Sequence, residues 1–224
     1  MDNNSTIIIQ QVISLQAQAL RHFGATCDTQ VLINAACLLQ ESLMIFTLGV
    51  GKSAHIAGKI ADTLTSIGSP AIFLSAEQLL HGSLNLLNFE GACALIVSKS
   101  GETSELLDIF PPTCYTSVKK ILISSSENSS LAQIADVVIS YGDVEECCGL
   151  NVVPTTSTTL SLVIGDILAA MLMVPNGFTC EKFSETHPGG SLGKTLRRSL
   201  EQKRETTLYE RNHQQKSRGD FINT

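Results

Sequence analysis

The stretch Ala92-Cys93-Ala94-Leu95-Ile96-Val97-Ser98-Lys99-Ser100-Gly101-Glu102-Thr103-Ser104-Glu105 decides the fold. Its first six residues form an apolar run bounded by turn residues, the pattern of a parallel strand buried on both faces. Leu106, Leu107, Ile109 and Phe110 follow at spacings that suit one face of a helix. A strand that turns through Ser98, Ser100, Gly101 and Thr103 into a helix start gathers hydroxyls and free backbone N–H groups, and the helix dipole there favours an anion. Gly101 lets the backbone approach closely or adopt positive φ. Beside this cradle, Glu102 reads as a first-turn acid that complements the dipole, and Glu105 as the better candidate for chemistry. Taken alone, the pattern fits a capped helix with a solvated acidic start equally well.

Outward from this stretch, strands and helices alternate. Met44 to Leu48 is a short strand ending in Gly49-Val50-Gly51-Lys52-Ser53; residues 54–67 have helical period and stop at Gly68-Ser69-Pro70. Ala71 to Leu74 is a second strand, and a short helix leads on to His81-Gly82. Lys120 to Ser124 and Val137 to Ser140 complete five strands. A long helix runs from about Ser157 to Val174, where Pro175-Asn176-Gly177 breaks it, and a shorter one from Thr179 to about Glu185 leads to His187-Pro188-Gly189-Gly190. The alternation predicts an α/β fold, a three-layer αβα sandwich on a five-stranded parallel sheet. Ligands bind at the C-terminal strand edge of such sheets, so Gly49–Ser53 and Ser98–Glu105 should meet there. Residues 1–40 read as two helices that cover the sheet or a partner subunit. The first is capped by Ser5 and carries Ile8, Ile9, Val12, Ile13, Leu15, Ala19 and Leu20 at helical intervals. The second follows Asp28 and buries Val31, Leu32, Ala35, Ala36, Leu38 and Leu39. Residues 41–200 form the α/β domain, and the polar residues 201–224 read as a frayed tail.

Composition narrows the function. Hydrophobic residues at 43% and charged residues at 16% indicate a compact globular protein. Eight of the 15 basic residues lie beyond Gly193, which leaves 7 basic against 17 acidic side chains in residues 1–193. So acidic a body is a poor nucleic-acid surface, and any phosphate must be held by local backbone and hydroxyl groups. The seven cysteines (27, 37, 93, 114, 147, 148 and 180) show no metal-ligand spacing, and several sit in apolar runs as small hydrophobes. The odd cysteine count and an N-terminus without signal-peptide character point to a reduced, cytoplasmic protein. No run of ~18 uninterrupted apolar residues suggests a membrane span.

The remaining motifs carry the chemistry. Gly49-Val50-Gly51-Lys52-Ser53 is not a P-loop, because Phe46 stands where that motif needs its first glycine. A dinucleotide fingerprint fails at Ala54, which leaves a Gly-rich turn presenting Lys52 at a strand end. His81 and His187 adjoin Gly82 and Pro188-Gly189-Gly190, loop contexts in which a side chain can face a cleft; His55, at a helix start, is ambiguous. Glu145-Glu146-Cys147-Cys148 follows the fifth strand. Pro154-Thr155-Thr156-Ser157-Thr158-Thr159 then opens the long helix, where the hydroxyls can cap the helix or close a second side of an anion pocket.

In this order the blocks resemble the sugar isomerase (SIS) domain, and more narrowly the D-arabinose 5-phosphate isomerases that feed synthesis of 3-deoxy-D-manno-octulosonate (Kdo). The likeness covers about residues 40–200 and is carried by Gly49–Ser53, His81-Gly82, Ser98–Glu105, Glu146, Pro154–Thr159, Gly165-Asp166 and Ser184–Gly193. It implies a flavodoxin-like, nucleotide-binding-like sheet, a homotetramer, a phosphosugar ligand, and interconversion of ribulose 5-phosphate and arabinose 5-phosphate without cofactor or metal. Lys52, Glu105, Glu146 and His187 match the family's catalytic set, and His81 matches a substrate contact. Gly51, Ser53, Gly68, Ser69, Ser98, Ser100, Gly101, Thr103, Thr155, Thr156 and Ser157 complete the expected binding set. Aldose–ketose isomerisation needs a base for a carbon-bound proton and a charge that stabilises the enediol oxyanion. A carboxylate whose pKa is raised by burial suits the first role, with Glu146 leading and Glu105 second, and Lys52 suits the other. Three departures stand out: Ser75 in place of a metal-sensitive histidine, Lys99 in place of Asn or Gln, and Ser83 in place of an acid. The pair of CBS modules carried by full-length members has no counterpart in this sequence. The rival readings are an isomerase of another phosphosugar and a catalytically silent phosphosugar sensor.

Overall fold

A computed structural model describes residues 3–110, 118–191 and 193–202. The chain divides into two compact units, Met1–Asn176 and Gly177–Thr224. The first holds five parallel strands: β1 (Met44–Gly49), β2 (Ala71–Ser75), β3 (Ala92–Val97), β4 (Lys119–Ser124) and β5 (Val137–Ser140), in the order β2-β1-β3-β4-β5. Its helices are α1 (Asn3–Thr26), α2 (Thr29–Glu41), α3 (Lys52–Ser66), α4 (Ala76–Gln78), α5 (Ser104–Ile109), α6 (Ser130–Ile134) and α7 (Thr156–Met173). A π turn at Leu79–Ser83 and a 3₁₀ turn at Leu84–Asn88 link α4 to β3. The second unit contains α8 (Cys180–Thr186) and helical residues 193–202.

The strands form where the apolar runs lie. Every residue of β3 is buried, as a central strand covered on both faces requires. Thr47 is a polar residue inside buried β1, and its hydroxyl is satisfied by donating to the Ala57 carbonyl at 2.8 Å. Cys93 lies on β3, where burial pushes its thiol up to about 12, so it packs as a small inert hydrophobe. The chain moves from β1 to β2 on one side and then to β3 on the other, and this reversal creates a switch point at β1. Gly49 pairs with both Ser75 and Val97, so the three strands end level and their exit loops start side by side.

Helix α7 is long and apolar enough to cross a membrane, yet Leu160, Ile164, Gly165, Leu168 and Leu172 are buried against the other elements. It packs on α1, α2, α3 and β4. A Cβ on Gly165 would overlap the Ile60 side chain of α3, so the crossing needs glycine, and Lys59 pairs with Asp166 beside it. The side chain of Asp28 caps α2 by accepting from Gln30 N at 2.8 Å.

Three expectations change. Helix α1 starts at Asn3, so Ser5 lies within the helix and does not cap it. Of its apolar face, Ile8, Ile9 and Ile13 are exposed, and Ile7 beside them is exposed too. No helix is expected from the sequence at α6 or over residues 193–202, because five residues are too few to show a period and the others are polar but for Leu196 and Leu200. Cys114 and residues 203–224, the rest of the expected tail, lie outside the described residues.

Substituting Gly165→Ala tests the α3–α7 crossing. Alanine favours helix by up to about 1 kcal/mol, but overpacking costs about 1–3 kcal/mol. We expect net destabilisation in urea unfolding, and Ile60→Ala in the same chain to recover part of it as a coupling energy.

Candidate active site

Lys52 is placed by two glycines. A side chain on Gly49 would meet the Ser53 backbone at 2.7 Å, and Gly51 takes φ +60 as the residue before α3. Lys52 is therefore the first residue of α3, exposed and without an ion-pair partner among the described residues, and half-buried Ser53 follows it.

The turn after β3 lies alongside. Ser98 is buried, and its hydroxyl accepts from Gly101 N at 3.1 Å and bonds Thr103 Oγ1 at 2.9 Å. The Ser100 hydroxyl accepts from Glu102 N at 3.1 Å. Gly101 has φ +67, and a Cβ there would overlap the Ser129 side chain, so the turn and the start of α6 pack backbone to side chain. Glu102 does complement a helix, but not its own: its carboxylate accepts from Ser130 N at 2.7 Å and caps α6. Glu105 is exposed, and its own backbone N–H and the Ser104 hydroxyl, at 2.9 Å, lower its pKa.

Glu146 lies in the β5–α7 loop and is 2% exposed. Its Oε1 accepts from Lys99 Nζ at 2.7 Å and from Ser157 Oγ at 2.5 Å. Its Oε2 accepts from Thr155 N at 2.7 Å, Thr155 Oγ1 at 3.1 Å and Ser157 N at 3.3 Å. The hydroxyl-rich start of α7 is thus closed by a carboxylate of the same chain, with Thr156 buried between these donors. Burial alone would raise the Glu146 pKa, but the Lys99 ammonium, the Ser157 hydroxyl and the Thr155 and Ser157 amides outweigh it and hold the group at about 2. The expected raised pKa is not met at either glutamate. Both are ionised at neutral pH, able to accept a proton and not to donate one.

Two supporting residues lie outside the expected set. Lys99, which in sequence is only a departure from the family pattern, joins the turn to Glu146. Asn151, at φ +53, accepts from Glu146 N at 2.6 Å and shapes the loop. The presence of a cation between two turn serines was the one signal for Lys99, but nothing in the sequence named its partner across 47 positions.

Not all expected residues converge. Gly68 and Ser69 follow α3 at the opposite, N-terminal edge of the sheet, because the 15-residue helix carries the chain roughly 22 Å away. Ser69 there accepts from Asn176 Nδ2 at 2.8 Å, a structural contact, and both residues leave the binding set. His81 is exposed on the π turn beyond β2, on the same edge as Lys52. His187 belongs to the second unit, where it stacks on Phe183 at 3.9 Å and its Nδ1 lies 3.0 Å from the Phe183 carbonyl. A groove of about 1130 Å³ runs between α1 and residues 143–149 and reaches Glu146, but neither Lys52 nor the Ser98–Thr103 turn lines it. Among the described residues, no three His, Cys, Asp or Glu side chains cluster to hold a metal.

The low pKa of Glu146 links charge to stability. Because the folded value lies below the usual 4.5, the contribution is present above about pH 4.5 and is lost as pH falls towards about 2. Across that window we expect acid to remove about 3 kcal/mol, at about 1.4 kcal/mol per unit. Chemical denaturation at pH 2.5 and pH 6 should show this loss in the parent and a flatter profile in Glu146→Gln.

The SIS domain family model matches residues 38–171. Arabinose 5-phosphate isomerase KdsD of Yersinia pestis is 40% identical over 187 residues, covering 84% of this chain and 57% of that protein. The chain thus spans little more than half the length of the curated relatives it matches. A solved structure of a phosphosugar isomerase involved in capsule formation, from Bacteroides fragilis, superposes with TM-score 0.72 at 35% identity, over 81% of this chain and 96% of that one. An Escherichia coli CFT073 protein solved in complex with arabinose 5-phosphate superposes with TM-score 0.78 at 29% identity, over 84% of this chain and 100% of that one. With the parallel sheet, the glycine-placed Lys52 and the serine-rich turn all within the matched span, this chain belongs to the SIS-domain family.

Proposed function

We propose that the chain is an aldose–ketose isomerase that interconverts D-ribulose 5-phosphate and D-arabinose 5-phosphate, without a cofactor. The observation that carries this reading is the meeting, at one sheet edge, of a lysine unpaired among the described residues, a hydroxyl-rich turn and an ionised carboxylate tied to that turn. The relatives named arabinose 5-phosphate isomerase and the neighbour solved with arabinose 5-phosphate support the choice of substrate.

In the forward direction a carboxylate takes a proton from C1 of ribulose 5-phosphate. The electrons of the broken C1–H bond form the C1=C2 double bond of the enediol, the C2 oxygen gains a proton as the O1 hydroxyl gives one up, and the proton equivalent held by the carboxylate returns to C2 as O1 becomes the aldehyde oxygen. Atoms and electrons balance within the substrate, so no oxidant or reductant is consumed. Glu146 is the leading group for this transfer and Glu105 the second; Lys52 stabilises the oxyanion. Ser98, Ser100, Gly101 and Thr103 hold the phosphate, with Gly51 and Ser53 beside them, and His81 contacts the sugar. His187 assists ring opening. Thr155 and Ser157 act through Glu146, which they hold, and Thr156, buried between them, keeps its place through Cys147 Sγ. The product serves Kdo synthesis for lipopolysaccharide or capsule in the cytoplasm. The exposed isoleucines of α1 support assembly into a homotetramer.

Proton NMR with ribulose 5-phosphate in D2O tests the reading. We expect arabinose 5-phosphate to appear with deuterium at C2, and Glu146→Gln to abolish that incorporation while ligand binding survives. No product from the parent protein overturns the isomerase reading, and a rise in melting temperature without turnover replaces it with a phosphosugar sensor.

A further inference from the structure

Five donors converge on the Glu146 carboxylate, which offers about four lone-pair sites. Two of them, Lys99 Nζ and Ser157 Oγ, fill both lone-pair sites of Oε1, and the other three share Oε2, so a position for a substrate proton opens at Oε1 when one of its two donors departs. Four of the five belong to Thr155 and Ser157 at the first turn of α7, and losing them would open the helix start. The fifth sits on a long side chain that is 37% exposed. The backbone of Lys99 is fixed separately, since its carbonyl accepts from Ser125 N at 2.9 Å, Ser125 Oγ at 2.8 Å and Ser124 Oγ at 3.0 Å. The ammonium can therefore swing while the turn stays in place. Lys99 also stands between Ser98 and Ser100, in the turn assigned above to the substrate phosphate. For an ammonium, a phosphate with negative charge on several oxygens is a stronger partner than a carboxylate already sharing its charge among four other donors.

We propose that Lys99 is a positioning residue that a bound phosphate group draws away from Glu146, so that the carboxylate gains an open lone pair only when substrate is present. The inference rests on the isomerase reading for where the phosphate binds. Its energetics are those of two anions competing for one cation, and the coupling is reciprocal: whatever weakens the hold of Glu146 on Lys99 strengthens phosphate binding.

A double-mutant cycle on the affinity for inorganic phosphate, measured calorimetrically on the full chain, tests this. Glu146→Gln should bind phosphate about tenfold more tightly than the parent, and Lys99→Met at least tenfold more weakly, with Lys99→Arg restoring most of the loss. In the Lys99→Met background, Glu146→Gln should bring no gain. Should Glu146→Gln fail to fold, NMR of the lysine ammonium groups in the parent gives the same answer, because phosphate should shift the Lys99 signal. An unchanged affinity in both single variants, a Glu146→Gln gain that persists without Lys99, an unmoved Lys99 signal, or no phosphate binding at all each overturns the proposal. Failure of the isomerase reading is separately visible: the phosphate cycle would hold while ribulose 5-phosphate gave no product.

Discussion

One buried negative charge organises the functional edge of this molecule. Glu146 gathers the β3 turn, the loop after β5 and the start of α7 onto a single carboxylate. A buried carboxylate is costly unless its lone pairs are filled, and here they are filled by an ammonium, hydroxyls and backbone amides. The arrangement solves two problems together. It satisfies the open N–H groups of a helix that is otherwise almost wholly apolar, and it keeps an acid ionised where solvent is excluded. Removing the carboxylate would leave the Thr155 and Ser157 amides at the helix start unmet, so Glu146 and that end of α7 stand or fall together.

Around that charge, close backbone approaches set the geometry. Gly49 allows β1 to run into α3 without a gap, Gly101 lets the turn settle on Ser129, and Gly165 lets α7 lie against Ile60. In each case the space a Cβ would need is already occupied by another segment, which fixes helix and loop positions to within a fraction of a side chain. Lys52 and the serine turn are neighbours because β1 and β3 pair in register and end level. The site is thus a property of the sheet order more than of either loop, as expected for a crevice at a switch point. The same logic separates Gly68 and Ser69 from it: glycine and serine after a helix look alike in sequence whichever end of the sheet they reach.

The polar chemistry and the apolar framework were unequally legible. The run Ala92–Val97 reads as a strand and is one, since burial on both faces leaves an uninterrupted apolar signature, while Val137–Ser140, a half-buried strand at the sheet edge, is legible from its β-branched residues. The long helix opened by Pro154–Thr159 was equally plain, but its hydroxyls admitted either capping or ligand binding, and only the folded chain shows a carboxylate already seated there. For Glu102, charge and position identified a helix-capping acid, while the identity of the helix depended on where α6 folds back. Burial was expected to raise the pKa of Glu146; the supply of donors reverses the sign, because desolvation is a property of place and hydrogen bonding one of partners.

By itself, then, the sequence determined the alternation of strands and helices, the parallel sheet, the turn chemistry and the set of side chains able to carry a reaction. Those features rest on local periodicity and on residue types with fixed conformational demands. Only the tertiary structure decided which of them share a site, that Lys99 answers Glu146 across the crevice, and that α7 is closed by its own chain. Pairings between residues tens of positions apart are set by strand order, level strand ends and the space left by absent side chains, and none of these has a signature within a single stretch of sequence.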